Sequence, residues 1–197
     1  MATRNFTAVD AAVEFVSLAE TKAYLSVAHN DDDALIERLT DAAIEMLGGP
    51  SGMLGRCLGK QKWRVALDGF PAGALTIGLP PVQSVESVKY IDREGVEQTL
   101  PDTAYRLTGI GRDGTLTPTA SWPATADGPE AVTIAFTAGD AAGEASSQLR
   151  QLVLALVWSW YESRGVTDTP TGLTTALPFG FDTLVWNWRY DRYEDQA

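Results

Sequence analysis

Residues 147–164, SQLRQLVLALVWSWYESR, constrain the fold of this chain more than any other segment. Leu149, Leu152, Val153, Leu156, Val157 and Trp160 recur at helical spacing and form one apolar stripe. Leu154, Trp158 and Tyr161 form a second stripe beside it. Ser146 or Ser147 can cap the start, and Gly165 sits where a left-handed C-terminal cap belongs. A helix apolar round most of its circumference must be covered on more than one side. It is too short and too flanked by charge to span a bilayer. Two readings follow. Either this is the central core helix of a small domain, or its own fold covers one side and another subunit the other, with Trp158 and Tyr161 as the subunit–subunit contact.

The chain has 197 residues, enough for one domain or for one domain with an inserted module. Fifteen basic residues against 26 acidic ones give a net charge of −11. That disfavours grip on a nucleic-acid backbone, which needs clustered Lys and Arg, and docking on an anionic membrane. A single cysteine, Cys57, excludes an internal disulfide; with only one histidine beside it, a structural zinc site is not expected. The first twenty residues hold no apolar run of signal-peptide type, so the expected site of synthesis and use is the cytoplasm.

In chain order, residues 1–15 read as a loose arm. Ser17-Leu18-Ala19-Glu20 is a capping box, opening a short helix to about Leu25. Asn30-Asp31-Asp32-Asp33 opens a second helix, with Leu35, Ile36, Leu39, Ala43, Met46 and Leu47 on one face and Gly48-Gly49-Pro50 as the stop. Three adjacent aspartates suggest a metal, but no other ligand cluster stands near them, and a solvated helix start explains them better. The period then changes from 3.6 to 2. Trp63, Val65 and Leu67 alternate with polar or small residues, and residues 74–79, 82–91, 96–100, 105–108 and 131–137 are further short strands. Residues 92–95 are a hairpin turn. The expectation is an α+β chain: a mainly helical domain at 1–60 and 139–197, a small antiparallel β module inserted at 61–138, and an extended C-terminal tail after a Thr-rich flexible loop at 166–176.

Signals for chemistry are sparse. His29 precedes an Asp-rich helix start and suits a surface role. Cys57 could act as a nucleophile only if the fold brought His29 to it. Residues 109–114, GIGRDG, evoke a glycine phosphate loop but lack the Lys-Ser/Thr ending and a following amphipathic helix, so they read as a turn. No cofactor, metal or catalytic residue is assigned. Two rival classes stay open: a hydrolase using paired carboxylates, and a soluble ligand- or peptide-binding module. The distinctive feature is the tail. Residues 185–193 hold two Trp, two Tyr and two Arg, the types enriched at interaction hot spots. Trp186, Trp188, Arg189 and Tyr190 either fold back on the chain's own core or anchor in a neighbouring protein.

The order of these pieces resembles a known family. A Leu-Ala-Glu-x-Lys-x-Tyr-Leu helix is followed by an Asp-Asp-Ala-Leu-Ile-Glu-Arg-Leu helix and a Trp-bearing strand. Then come Leu-Pro-Pro-Val-Gln-Ser-Val-x-Ser-Val at 79–88, a Tyr-Ile-Asp hairpin, and a return strand leading into Leu149-Arg150-Gln151. Trp160-Tyr161-Glu162-x-Arg164 ends the long helix, and Leu177-Pro178-Phe179-Gly180 precedes the tail. Over nearly the whole chain this is similar to the head–tail connector, or adaptor, proteins of long-tailed bacteriophages and phage-derived gene transfer particles. Departures are Gly165-Val166, where many relatives continue with acidic helix formers, and the lack of a proline before the long helix. The resemblance implies a structural, non-enzymatic connector domain assembled in the host cytoplasm. It implies a homo-oligomeric ring, of dodecameric size, between the portal and a stopper-type tail-completion protein. DNA would pass through the ring without specific binding, and no membrane is involved. On that reading Trp186, Trp188, Arg189 and Tyr190 would meet the portal, and an acidic channel wall would let DNA slide.

Overall fold

Among the described residues strand and helix take nearly equal shares, which corrects the expectation of a mainly helical fold. The computed structural model describes residues 4–141, 144–163 and 180–190. They divide into two compact units, one of residues 1–13 and 59–140, the other of residues 14–58 and 141–197.

The first unit is built on β-sheet. Its five-stranded sheet has the order β1 (Asn5–Ala8), β2 (Gln61–Leu67), β8 (Val132–Ala138), β4 (Val82–Ile91) and β5 (Glu97–Leu100), antiparallel throughout. Cross-strand partners point to one face, so the register sorts the side chains. Trp63 opposes Phe136, Val65 opposes Ile134, and Leu67 opposes Val132, all of them buried. The opposite rows, Lys62–Thr137, Arg64–Ala135 and Ala66–Thr133, form the more polar face. Two register shifts bend β4 as it pairs with β8, between Val82 and Ser84 and between Val85 and Ser87. A second, three-stranded sheet has the order β3 (Leu75–Thr76), β7 (Thr115–Pro118) and β6 (Tyr105–Thr108).

Two strands escape the sequence pattern. β1 lies in the segment that reads as a loose arm. Its four residues, Asn-Phe-Thr-Ala, are too short a run for their alternation to mark a strand, and it is recruited by pairing with β2 and by Phe6, which meets Phe136 edge-on at 6.4 Å. β7 buries a single side chain, Leu116, too little for a period-2 signal. The phosphate-loop lookalike at 109–114 is the turn between β6 and β7. Val82 clamps it: the Gly111 N–H donates to the Val82 carbonyl at 2.8 Å, and the Val82 N–H donates to the Arg112 carbonyl at 2.7 Å. Gly114 adopts φ +61°, and a Cβ there would lie 2.8 Å from Val82 Cβ, so only glycine fits.

Among the described residues the second unit packs four helices: α1 (Leu18–Leu25), α2 (Asp33–Leu47), α3 (Ser147–Ser163) and α4 (Phe181–Trp188). The α1 start follows half of the capping box. Ser17 Oγ accepts from the Glu20 N–H at 3.2 Å, but Glu20 turns its carboxylate toward Arg150, 3.7 Å away. Ser146 Oγ accepts from the Gln148 N–H at 3.3 Å at the start of α3. The first stripe of α3 is enclosed as its period requires, with Leu152, Val153, Leu156 and Val157 fully buried, while the second is buried at Leu154 and Tyr161 but leaves Trp158 exposed. They pack with Ile36, Ala43 and Leu47 of α2 and with Phe15, Leu54 and Phe181. The residues around Trp186, expected as an extended tail, form α4 instead, because Phe181, Leu184, Val185 and Trp188 make an inward face at helical spacing. The C-terminal cap at Gly165, the loop at 166–176 and the tail beyond Tyr190 lie outside the described residues.

Candidate functional site

Two of the three adjacent aspartates tie helices together. Asp32 Oδ2 accepts the Tyr161 O–H at 2.6 Å, tying the end of α3 to the start of α2. Asp33 accepts from Lys22 Nζ at 2.6 Å, and the same ammonium donates to Asn30 Oδ1 at 2.7 Å. Asp32 is the N-cap position of α2, and its side chain makes no capping bond to the helix backbone. No group of three or more His, Cys, Asp and Glu side chains that could hold a metal occurs among the described residues. Cys57 is buried, and His29 is exposed beside Asp31 at 3.9 Å. No helix among the described residues is long and apolar enough to cross a membrane.

The four tail residues divide between two directions. Trp188 faces inward: its Nε1–H donates to Gln148 Oε1 at 2.8 Å, and the Arg56 guanidinium carbon stands 5.1 Å from its ring centre. The Tyr190 N–H donates to the Leu54 carbonyl at 2.8 Å. Trp186 lies on the outward side of α4 with 73% of its surface exposed, and Arg189 is exposed beyond it. The two α3 candidates divide likewise. Trp158 is 45% exposed, whereas Tyr161 is 8% exposed and held by Asp32. The 3.6 period separates Trp186 from Trp188 but not Trp158 from Tyr161, which lie three residues apart on one stripe. Phe181, Leu184, Val185 and Trp188 share a face that Trp186 does not.

Charge is distributed unevenly. Of the net −11, the helical unit carries −8, with seven Lys and Arg against fifteen Asp and Glu. Glu37, Asp41 and Glu45 form an exposed row at i, i+4 spacing along α2, and none makes an ion pair among the described residues. Each adjacent like-charge pair costs a helix roughly 0.2–0.5 kcal/mol, so the row does not exist for the stability of α2. In the sheet unit the perturbed titrations are local. Gln98, then the Val96 and Glu94 amides, hold the Asp92 carboxyl below its ordinary value in the β4–β5 turn. Burial, then nearby Asp102, raises the Tyr105 phenol.

These features define a class: a two-unit α+β chain whose distinctive surfaces are exposed aromatic and charged faces on rigid elements. No family model matches the chain, and no curated protein matches it. Solved structures do. A chain in the neck of an empty gene transfer agent (GTA) particle, computed with C6 symmetry, is 26% identical with a TM-score of 0.77, covering 95% of this chain and 96% of that one. A chain in the virion of a native GTA particle is 25% identical with a TM-score of 0.74 over the same shares. A chain in the neck of a native GTA particle, computed with C12 symmetry, shares the fold at a TM-score of 0.74 and 24% identity. The resemblance to head–tail connectors of phage-like particles, read from the sequence, is thereby borne out.

Proposed function

We propose that this chain is a structural subunit of the neck of a phage-like particle, where it forms a ring adaptor between the portal and the tail-completion proteins. The observation that carries this reading is the match to a GTA neck chain over 95% of this chain and 96% of that one. Those necks were computed with C6 and C12 symmetry, which supports a closed ring and suits a dodecamer. The part is mechanical, with no catalytic residue. The proposed portal contact is made by α4: Trp186 and Arg189 reach outward while Trp188 and Tyr190 fix the helix to its own core. The proposed subunit contact uses Trp158, with Tyr161 bracing α3 behind it. An acidic helical unit facing the channel would repel phosphate and let DNA pass. Assembly would take place in the host cytoplasm.

The test is reconstitution. Purified chain is added to purified portal rings and imaged by electron microscopy, with binding measured in parallel. Wild type should add a layer to the portal. Trp186→Ala should weaken binding by about 2 kcal/mol, the usual effect of truncating an aromatic anchor. A chain that turns over a cell-wall glycan and ignores the portal would sink the proposal and favour a carboxylate hydrolase.

A further inference from the structure

We propose that copies of this chain join head to tail, with the β6–β7 hairpin of one copy seated on the outward face of α2 in the next. This rests on the ring reading above and names the surfaces that would close the ring.

The hairpin has the character of a fixed knob. Its turn is held by hydrogen bonds to Val82, Ile77 and Gly78 and by three glycines at positive φ. A side chain at its tip, Ile110, is nevertheless 61% exposed, although nothing in the turn's own geometry calls for an apolar residue there. Arg106 and Arg112, both exposed and without an ion pair among the described residues, flank it.

The α2 face has the complementary character. Ala42 is small and exposed, which lets another backbone approach, and Met46 beside it is 43% exposed. Glu37, Asp41 and Glu45 run alongside; Arg38 is the one basic group on that face. The dimensions agree. The eight-residue step from Glu37 to Glu45 along the helix spans about 12 Å. The four-residue step from Arg106 to Ile110 follows β6 to Thr108 and then enters the turn at Gly109, so its reach is somewhat under the roughly 13 Å of a fully extended strand. An arginine-flanked isoleucine therefore matches a carboxylate-flanked Ala/Met seam in chemistry and length.

Charge also selects the occupant. Nucleic acid on the α2 face would set phosphate against a row of carboxylates. A two-fold contact of hairpin on hairpin would set arginine against arginine, and α2 on α2 would oppose two acidic rows. Only a heterologous contact pairs the opposite signs. Each copy then offers both surfaces, and repetition closes a ring when the rotation allows.

The test uses two full-length variants, Ile110→Cys and Ala42→Cys, both at exposed positions, with the native Cys57 buried in each. They are mixed with a short bis-maleimide cross-linker, and circular dichroism checks that both are folded. The mixture should yield at least about ten times more covalent dimer than either variant alone, since charge complementarity of this kind suppresses the wrong pairings. Adding Arg106→Glu and Arg112→Glu to the first variant should lower that yield roughly ten-fold, and adding Glu37→Lys and Asp41→Lys to the second should restore it. No excess dimer in the mixture, or no rescue by the second charge reversal, overturns the contact. If rings assemble on the portal without a 110–42 link, the contact falls and the neck reading stands. If neither rings nor links form, both fall.

Discussion

Trp188 and Trp186 are two residues apart in one helix, and the structure gives them opposite jobs. Replacing Trp188 by alanine removes three things: half-buried packing on the helical core, the hydrogen bond to Gln148, and the contact with Arg56. A fully buried Trp→Ala change costs about 3–5 kcal/mol, so half-burial sets this loss at roughly 2. The cation–π contact adds about 0.5–1 kcal/mol at an exposed site, and the partly solvated hydrogen bond adds about 0.5. The expected total is roughly 3 kcal/mol, which in a chain of this length lowers the melting temperature by about 6–12 °C. Trp186→Ala removes a ring that is 73% exposed, and such a change shifts stability by no more than about 0.5 kcal/mol. The assay is a thermal melt of both variants beside a pull-down on purified portal. Trp188→Ala should melt early; Trp186→Ala should melt like wild type and bind portal weakly. Equal losses of stability in the two variants would refute the division of α4 into an inward and an outward face.

Tyr161→Phe should destabilise the helical unit by about 1.5–3 kcal/mol, because a hydrogen bond to a carboxylate is lost and Asp32 is left facing a ring; urea unfolding reads this directly. Gly114→Ala should cost roughly 1–3 kcal/mol or more, since it adds a strained positive φ to a clash with Val82; the same urea assay applies, and a neutral result would show that the turn can move. The Asp92 carboxyl should titrate below the ordinary carboxylate range by carbon NMR, and Gln98→Ala should move it back up, because Gln98 is the largest cause of the shift. A depressed folded value means that Asp92 stabilises the turn at pH above the ordinary carboxylate value. That contribution is lost as pH falls through the folded one. Upfield movement of the β4–β5 turn signals in acid checks the sign, and no shift after Gln98→Ala would count against it.

Much of the local structure was legible because it depends on neighbours in sequence. The α3 stripes, the α1 start at Ser17, the change of period near residue 61, and four of the longer strands follow from spacing and capping alone. The aromatic and arginine composition of residues 185–193 likewise marked that segment as unusual. Other features needed partners distant in sequence. β1 is a strand because β2 lies beside it, more than fifty residues away, and its own four residues are too few for their alternation to mark one. The balance of the fold depends on such pairings, so a chain read as mainly helical proves to be an even mixture. Asp32 and Asp33 do stand at the start of α2, as read, but their side chains also accept from Tyr161 and Lys22, since hydrogen-bond partners are chosen by packing. The direction of each tail aromatic was decided the same way: composition supplied Trp186 and Trp188, but only the docking of α4 on the helical core determined which ring is enclosed and which is left facing outward.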